Sequence, residues 1–288
     1  MQELFKGTGV ALVTPFDSKL QIDFASFEKL LEFNANNGID YFVVNGTTGE
    51  SATTNKKEKR DLLKFIQRNN PKKLPIVYGT GGYDTLDIVE HVKEMDWTGV
   101  DALLSVSPYY NRPSQKGIVA HYEAVADACP VPVILYNVPK RTGSNITAAT
   151  SVELSNHHNI IGIKEASGDF GQIVDIVANK PEDFLLISGD DMCTVPMISL
   201  GAVGVISVLA NAFPLEMSSM TSSALNGDYL SAKKYLSKLN RINPHMYSEA
   251  SPVGVKEVLR QIGICENHVR LPLVSASEEL ASIIKGLI

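Results

Sequence analysis

A lysine at the end of an apolar run is the first residue of this chain whose setting indicates chemistry. Residues 160–163 include three isoleucines, which is typical of a buried strand, and Lys164 follows them directly. Gly168 and Asp169 then provide a turn and a helix start, so we expect Lys164 at the carboxyl end of a strand, where α/β folds bind ligands. Desolvation there disfavours the ammonium, and a neutral lysine amine can form a Schiff base with a ketone or aldehyde. The alternative is a structural lysine paired with Glu165 or another carboxylate.

A tyrosine and an arginine follow the preceding apolar run. Tyr136 ends that run one predicted strand before Lys164, so the two side chains are expected to be neighbours. A phenol there can shuttle the protons that carbinolamine formation and dehydration require. Arg141 can hold a substrate carboxylate through two parallel hydrogen bonds. The alternatives are a core tyrosine and a solvated arginine.

Two loops after other predicted strands also carry candidate ligand-binding groups. Residues 46–50 read Gly-Thr-Thr-Gly-Glu, and the glycines, hydroxyls and backbone amides of such a loop can hold a carboxylate. The loop lacks the lysine and spacing of a P-loop, and an ordinary turn is the alternative. Tyr109 and Tyr110 lie in a loop bounded by prolines. They can relay protons, or they can pack on a surface or at a subunit interface.

The remaining polar motifs do not indicate a metal or a nucleotide. Asp190 and Asp191 are adjacent, so their carboxylates diverge, and one of them is better suited to cap the following helix. The six histidines show no ligand spacing, and the chain contains no Cys-x-x-Cys. Residues 79–82 lack the third glycine of a dinucleotide fingerprint. We therefore predict no cofactor.

The elements that must position these residues follow a strand-then-helix rhythm. Eight apolar runs alternate with amphipathic segments, and they occupy residues 10–13, 41–44, 75–78, 102–106, 131–136, 160–163, 184–188 and 203–206. Strands this apolar predict a parallel sheet covered on both faces, and eight of them predict a closed (β/α)8 TIM barrel. After about residue 226 only helical patterns remain, at residues 229–242, 253–262 and 278–287. The prediction is a catalytic barrel at residues 1–226 with a C-terminal helical extension at 227–288.

Composition excludes several classes of protein. The 288 residues are 44% hydrophobic and 20% charged, which supplies a large core and excludes global disorder. The net charge is −6 and no Lys/Arg-rich run occurs, so we expect no nucleic acid and no anionic membrane surface as partner. Three distant cysteines fit a reducing compartment. The amino terminus lacks signal-peptide character, no apolar stretch reaches ~18 residues, and the expected location is the cytoplasm.

Four of these motifs, in this order and at this spacing, carry a resemblance that covers nearly the whole chain. The chain resembles the dihydrodipicolinate synthase/N-acetylneuraminate lyase family in residues 46–51, 107–111, 136–143 and 162–169. The resemblance implies a Schiff-base condensation in which Lys164 activates pyruvate and Tyr136 shuttles protons. Arg141 is typical of the synthase branch, where it holds the carboxylate of L-aspartate 4-semialdehyde, and the product is 4-hydroxy-tetrahydrodipicolinate of lysine and diaminopimelate synthesis.

The resemblance also implies roles for five further residues. Thr47 and Tyr110 complete the proton relay, and in the family the tyrosine that matches Tyr110 comes from the adjacent subunit. This implies at least a dimer, and commonly a homotetramer built as a dimer of dimers. Thr48 and the backbone near Ile206 would hold the pyruvate carboxylate, and Gly189 would line the same pocket.

Two other functions share part of this pattern. Another aldolase of the family, such as an N-acetylneuraminate lyase or a 2-keto-3-deoxy-sugar-acid aldolase, would keep Lys164 and Tyr136 and differ at Arg141. A non-catalytic effector sensor on the same barrel would lack Lys164 or Tyr136, or would carry a DNA-binding appendage.

The sequence departs from the family at its lysine-feedback site. Ser51 and Ala52 fit that site, but lysine-sensitive members often have two histidines, an asparagine and a glutamate where this chain has Lys56, Lys59, Tyr83 and Asp87. Added positive charge should repel a cationic effector. We therefore predict weak or absent inhibition by lysine.

Overall fold

The computed structural model describes residues 2–288, and across that range eight parallel strands close into a barrel. Each strand pairs with the next along the chain, and the first pairs with the last. The predicted (β/α)8 barrel is confirmed. The strands are β1 (Gly7–Ala11), β2 (Tyr41–Val44), β3 (Ile76–Thr80), β4 (Ala102–Val106), β5 (Val133–Asn137), β6 (Ile160–Glu165), β7 (Leu185–Ser188) and β8 (Gly204–Ser207).

Helices follow the strands and cover the outside of the barrel. Their starts were readable locally, since Asp23 caps the first of them, Asn55 and Glu58 form a capping box on the second, and Asp169 caps the helix after β6. The helices up to residue 225 are α1 (Phe24–Asn36), α2 (Lys56–Arg68), α3 (Thr85–Glu94), α4 (Gln115–Ala128), α5 (Pro139–Thr142), α6 (Ala148–Leu154), α7 (Phe170–Asn179), α8 (Thr194–Ser199) and α9 (Pro214–Leu225). Short 3-10 turns lie at Gln2–Phe5, Thr47–Gly49, Leu209–Asn211 and Asn243–Met246.

Six of the eight strands differ from their predicted bounds at one or both ends, and the differences in the first and the sixth bear on the barrel interior and on the site. The first strand begins three residues earlier and ends two residues earlier than predicted, because it includes glycines that an apolar-run criterion passes over. A Cβ at Gly9 would lie 2.2 Å from the ring of Tyr41, so the glycine makes room for that ring inside the barrel. The sixth strand extends past the predicted end, so Lys164 is its second-to-last residue and pairs with Tyr136 on one side and Ile187 on the other.

The apolar side chains form two layers, as expected for strands buried on both faces. An inner cluster fills the barrel and includes Phe5, Tyr41 and Ile206, with the rings of Phe5 and Tyr41 meeting edge to face at 5.7 Å. An outer cluster lies between the strands and the helices. Packing on both faces holds the strand ends rigidly, which is what a positioned site requires.

The C-terminal extension consists of α10 (Tyr229–Ile242), α11 (Val253–Gln261) and α12 (Glu278–Lys285). The three helices begin where the sequence predicted, and the last two end one and two residues earlier. In α11 the charged residues Lys256 and Glu257 are fully buried, so this helix packs against other parts of the chain on nearly all sides. None of the helices in the described part of the chain has the length and hydropathy of a membrane span.

Candidate active site

Lys164 and Tyr136 lie side by side on neighbouring strands at the carboxyl end of the barrel. They are paired in the β5–β6 register, and Lys164 Nζ lies 4.3 Å from the centroid of the Tyr136 ring. Both are buried, with 5% and 8% of their surface exposed. The predicted adjacency is therefore confirmed.

Burial changes the protonation of Lys164. Desolvation lowers the pKa of this lysine from 10.5 to about 7, Asp191 opposes the shift, and Arg141 adds to it. Glu165 points elsewhere, because its carboxylate accepts from the Ser167 amide and from the side chains of Asn137 and Gln172. The alternative of a structural Lys164–Glu165 pair is therefore wrong, and Lys164 is a buried amine whose neutral and protonated forms both occur near pH 7.

Tyr136 has a hydroxyl partner and a nearby cation. Burial raises the pKa of its phenol, while Arg141 and the Thr47 side chain oppose the rise. A neutral phenol that both accepts and donates is suited to passing protons between an amine and a bound carbonyl oxygen.

The loop of residues 46–50 reaches the site through a 3-10 turn, Thr47–Gly49, directly after β2. Thr48 is buried, and Glu50 ends the turn in the left-handed conformation at φ 54°. The Gly49 carbonyl accepts a hydrogen bond of 2.7 Å from the Thr14 hydroxyl. The loop is therefore fixed to the neighbouring segment after β1.

Two cavities meet at Tyr136. One, of about 450 Å³, contains Lys164 and is lined by Thr47, Thr48, Tyr136, Val138, Lys140, Arg141, Ala166, Gly189, Asp190, Val208, Asn243 and Tyr247. The other, of about 430 Å³, extends from Tyr136 and Arg141 towards Ser51, Lys59 and Tyr109. Cationic and hydroxyl groups thus surround the buried amine, an arrangement suited to a small anionic keto compound.

Gly189 is the residue whose lack of a side chain the site requires. A Cβ there would lie 3.1 Å from Lys164 Cε and 2.6 Å from the Ala166 Cβ. The side chain of any other residue would therefore press on the end of the lysine.

Two residues expected at the site do not line the cavity that contains Lys164 within this chain. The Ile206 side chain points into the barrel interior, where it is 1% exposed, so the predicted contact with a carboxylate concerns the backbone near this residue; Val208, two residues further on, lines the cavity. Tyr110 is 86% exposed with φ 71°. The centroid of its ring lies 6.2 Å from that of Tyr83. Tyr109, its neighbour, lines the second cavity.

The contribution of the C-terminal extension to the site was not predicted from the sequence. Asn243 and Tyr247 line the cavity that contains Lys164. Nothing in the local sequence around residue 247 signals this placement.

The two adjacent aspartates after β7 have different roles. Asp190 Oδ1 accepts from the amides of Met192 and Cys193, as a turn residue before α8 would. Asp191 does not cap a helix, and it accepts from the Leu209 amide at 3.0 Å.

Among residues 2–288, no group of three or more His, Cys, Asp and Glu side chains is arranged to hold a metal ion.

Comparison with known proteins gives the family. A model described as the dihydrodipicolinate synthetase family matches residues 4–288. The 4-hydroxy-tetrahydrodipicolinate synthase of Cytophaga hutchinsonii is 53% identical over 276 residues, which cover 96% of this chain and 93% of that protein.

Solved structures agree with the sequence comparison. A monomeric dihydrodipicolinate synthase variant superposes with a TM-score of 0.95 at 33% identity, covering 99% of this chain and 96% of that one. The DHDPS of Cyanidioschyzon merolae, solved with lysine bound, superposes with a TM-score of 0.94 at 35% identity, covering 99% and 97%. Because the family model spans nearly the whole chain and more than half of the aligned positions are identical in a relative of almost equal length, this chain belongs to the dihydrodipicolinate synthetase family.

Proposed function

We propose that the protein is a lyase that condenses pyruvate with L-aspartate 4-semialdehyde to give 4-hydroxy-tetrahydrodipicolinate. The observation that carries this is the pair on β5 and β6: a buried lysine with a pKa of about 7 whose Nζ lies 4.3 Å from the centroid of a tyrosine ring. The relatives reported above carry this activity in their names.

The first half of the reaction uses Lys164 and Tyr136. The neutral amine adds to the keto carbon of pyruvate, Tyr136 passes a proton to the developing hydroxyl, and loss of water leaves a protonated imine. The imine withdraws electrons, so a methyl proton leaves and an enamine forms. Thr47, which lines the same cavity as Tyr136, passes protons onward. Thr48 and the backbone near Ile206 hold the pyruvate carboxylate.

The second half adds the aldehyde and releases the enzyme. The enamine carbon attacks the aldehyde carbon of the semialdehyde, whose carboxylate is held by the exposed guanidinium of Arg141 at the edge of both cavities. The substrate's own amine then adds to the imine carbon and displaces the amine of Lys164, which closes the ring. Gly189 leaves the space beside Lys164 Cε that these tetrahedral intermediates need.

The exposure of Tyr110 supports an assembled form. A tyrosine that is 86% exposed and held at positive φ is strained and poorly buried in one chain. A second copy that covers this surface would bury Tyr110 and bring it to the partner's Tyr136. We therefore propose at least a homodimer, and the homotetramer remains a prediction.

Subunit complementation tests this assembly. Tyr110→Phe and Lys164→Ala chains are each expected to lose most activity alone. Refolded together, they should regain activity, because in a mixed dimer one site would contain Lys164 of one chain and Tyr110 of the other. Activity that stays at the level of the separate variants would contradict a shared site.

Borohydride trapping tests the chemistry. Reduction in the presence of pyruvate should add one pyruvyl group, mapped to the peptide of Lys164, and Lys164→Ala should remain unlabelled with its fold intact by circular dichroism. A coupled assay with aspartate semialdehyde then identifies the branch. An adduct without condensation of the semialdehyde, but with turnover of N-acetylneuraminate or a 2-keto-3-deoxy sugar acid, would assign the protein to the alternative aldolases. The absence of any adduct in folded protein would overturn the proposal.

A further inference from the structure

Asp191 is a buried carboxylate that the proposed reaction does not use. It is 3% exposed and lies two residues beyond Gly189, whose position is in contact with Lys164 Cε. Its Oδ2 accepts from the Leu209 amide at 3.0 Å and from the Tyr247 hydroxyl at 3.4 Å. Its Oδ1 is buried and has no hydrogen-bond partner among the residues that the structure describes. A buried carboxylate oxygen left unpaired is costly unless its charge is compensated nearby.

The charges around Lys164 come from three directions. The strand β5 and the helix after it supply the phenol of Tyr136 and the cations Lys140 and Arg141. The turn after β7 supplies the carboxylates of Asp190 and Asp191. The C-terminal extension supplies a second phenol, that of Tyr247. Asp191 opposes the fall in the pKa of Lys164 that burial causes. Burial in turn raises the pKa of Asp191, and the Ser207 side chain and the Leu209 amide oppose that rise.

We propose that Asp191, held by Tyr247 of the C-terminal extension, is the buried counter-charge of Lys164 and a positioning residue for the Schiff-base chemistry. This rests on the proposed function, since it concerns the lysine that forms the imine. The chemistry needs such a group. Desolvation and Arg141 both favour the neutral amine, whereas the imine must stay protonated to withdraw electrons, and an anion close by stabilises that cation.

The role of Tyr247 follows from the same geometry. Its hydroxyl is the donor to Asp191 that comes from outside the barrel, 56 positions away. Loss of this donor leaves the carboxylate less stabilised as an anion. The C-terminal extension therefore contributes to the electrostatics of the site as well as to its wall.

The test measures the protonation of Lys164 without pyruvate. Competitive acetylation by acetic anhydride, read at the Lys164 peptide by mass spectrometry across a range of pH, gives the midpoint at which the amine becomes reactive. Asp191→Asn should lower this midpoint by about one pH unit or more. Tyr247→Phe should lower the midpoint by less. This variant keeps the test possible if Asp191→Asn does not fold.

Two variants serve as matched controls. Asp190→Asn removes the same charge from the adjacent residue, and Tyr229→Phe removes a hydroxyl from an exposed tyrosine of α10. Both should leave the midpoint unchanged. In the trapping assay with pyruvate, Asp191→Asn should also move the acid limb of adduct formation to lower pH and slow turnover, whereas a purely structural defect would reduce labelling at every pH without moving the midpoint.

The outcomes separate this inference from the proposed function. Unmoved midpoints in both Asp191→Asn and Tyr247→Phe, with a pyruvyl adduct still formed, would overturn the inference and leave the function intact. A midpoint equally lowered by Asp190→Asn would also overturn it. A lowered midpoint specific to Asp191→Asn, without any pyruvyl adduct in the unaltered protein, would support the counter-charge and overturn the Schiff-base function.

Discussion

Lys256 and Glu50, which lie 206 positions apart, form an ion pair with both side chains buried. Lys256 Nζ lies 2.5 Å from Glu50 Oε1, and the two side chains are 0% and 2% exposed. The same ammonium donates to the His268 carbonyl at 2.7 Å and lies 4.3 Å from the centroid of the Phe16 ring. Because Glu50 ends the 46–50 loop, this pair fixes that loop, which we propose to bind substrate, to helix α11 of the extension.

Lys256→Met should destabilise the protein strongly. It leaves the Glu50 carboxylate buried and unpaired, and removal of one partner of a buried pair costs about 3–5 kcal/mol in the free energy of unfolding. Urea unfolding measures this change. Lys238→Met, which breaks an exposed pair with Glu216, should cost no more than about 1 kcal/mol. A double variant, Glu50→Gln with Lys256→Met, should be less destabilised than the sum of the two single variants, and additive losses would show that the pair is not coupled.

Imine formation should become slower as pH falls, because Lys164 must be neutral to attack pyruvate. Its pKa is lowered by burial to about 7, so the amine is protonated as pH falls below that value, and the rate of reaction with pyruvate should fall about tenfold per pH unit. Rapid-mixing measurement of imine formation against pH gives the midpoint. A midpoint near the ordinary lysine value of about 10.4 would contradict the assigned environment.

Gly189→Ala should reduce turnover. The added methyl group would lie 3.1 Å from Lys164 Cε and 2.6 Å from the Ala166 Cβ, and displacement of a catalytic group by a fraction of an ångström to 1 Å can cost about 100-fold in rate. Steady-state kinetics should show the loss mainly in kcat. Gly286→Ala is the matched control, because that glycine has φ −82° and its nearest neighbour would be 3.5 Å away. If the kcat of Gly189→Ala stays within about twofold of that of the unaltered protein, this prediction is contradicted.

The sequence predicted those features of the site that follow from strand order. Tyr136 and Lys164 were expected to be neighbours because each ends an apolar run and the two runs are consecutive, and the register confirms it. Contacts made by the extension could not be predicted in this way. The pairing of Glu50 with Lys256, and of Asp191 with Tyr247, depends on how helices without a periodic strand signal dock on the barrel.

Lysine should inhibit this protein weakly, because Lys59 lines the second cavity and Lys56 lies close to it on the same helix. Lys59 lines that cavity together with Ser51 and Ala52, and burial lowers the pKa of its ammonium. Lys56 lies one helical turn before Lys59 on α2, and its Nζ lies 3.7 Å from Asp87 Oδ1. A bound lysine would bring further ammonium groups into this positive region, and like charges at such distances repel.

Removal of the local charge should therefore strengthen the response to lysine. Lys56→Gln and Lys59→Gln are expected to lower the inhibition constant, and most when combined, whereas Lys57→Gln, on the same helix but 78% exposed and paired with Asp61, should leave it unchanged. Inhibition of the coupled condensation assay and calorimetric titration with lysine both report the change. A sub-millimolar inhibition constant in the unaltered protein would contradict the prediction, because it would mean that the cleft binds the cationic effector despite Lys56 and Lys59.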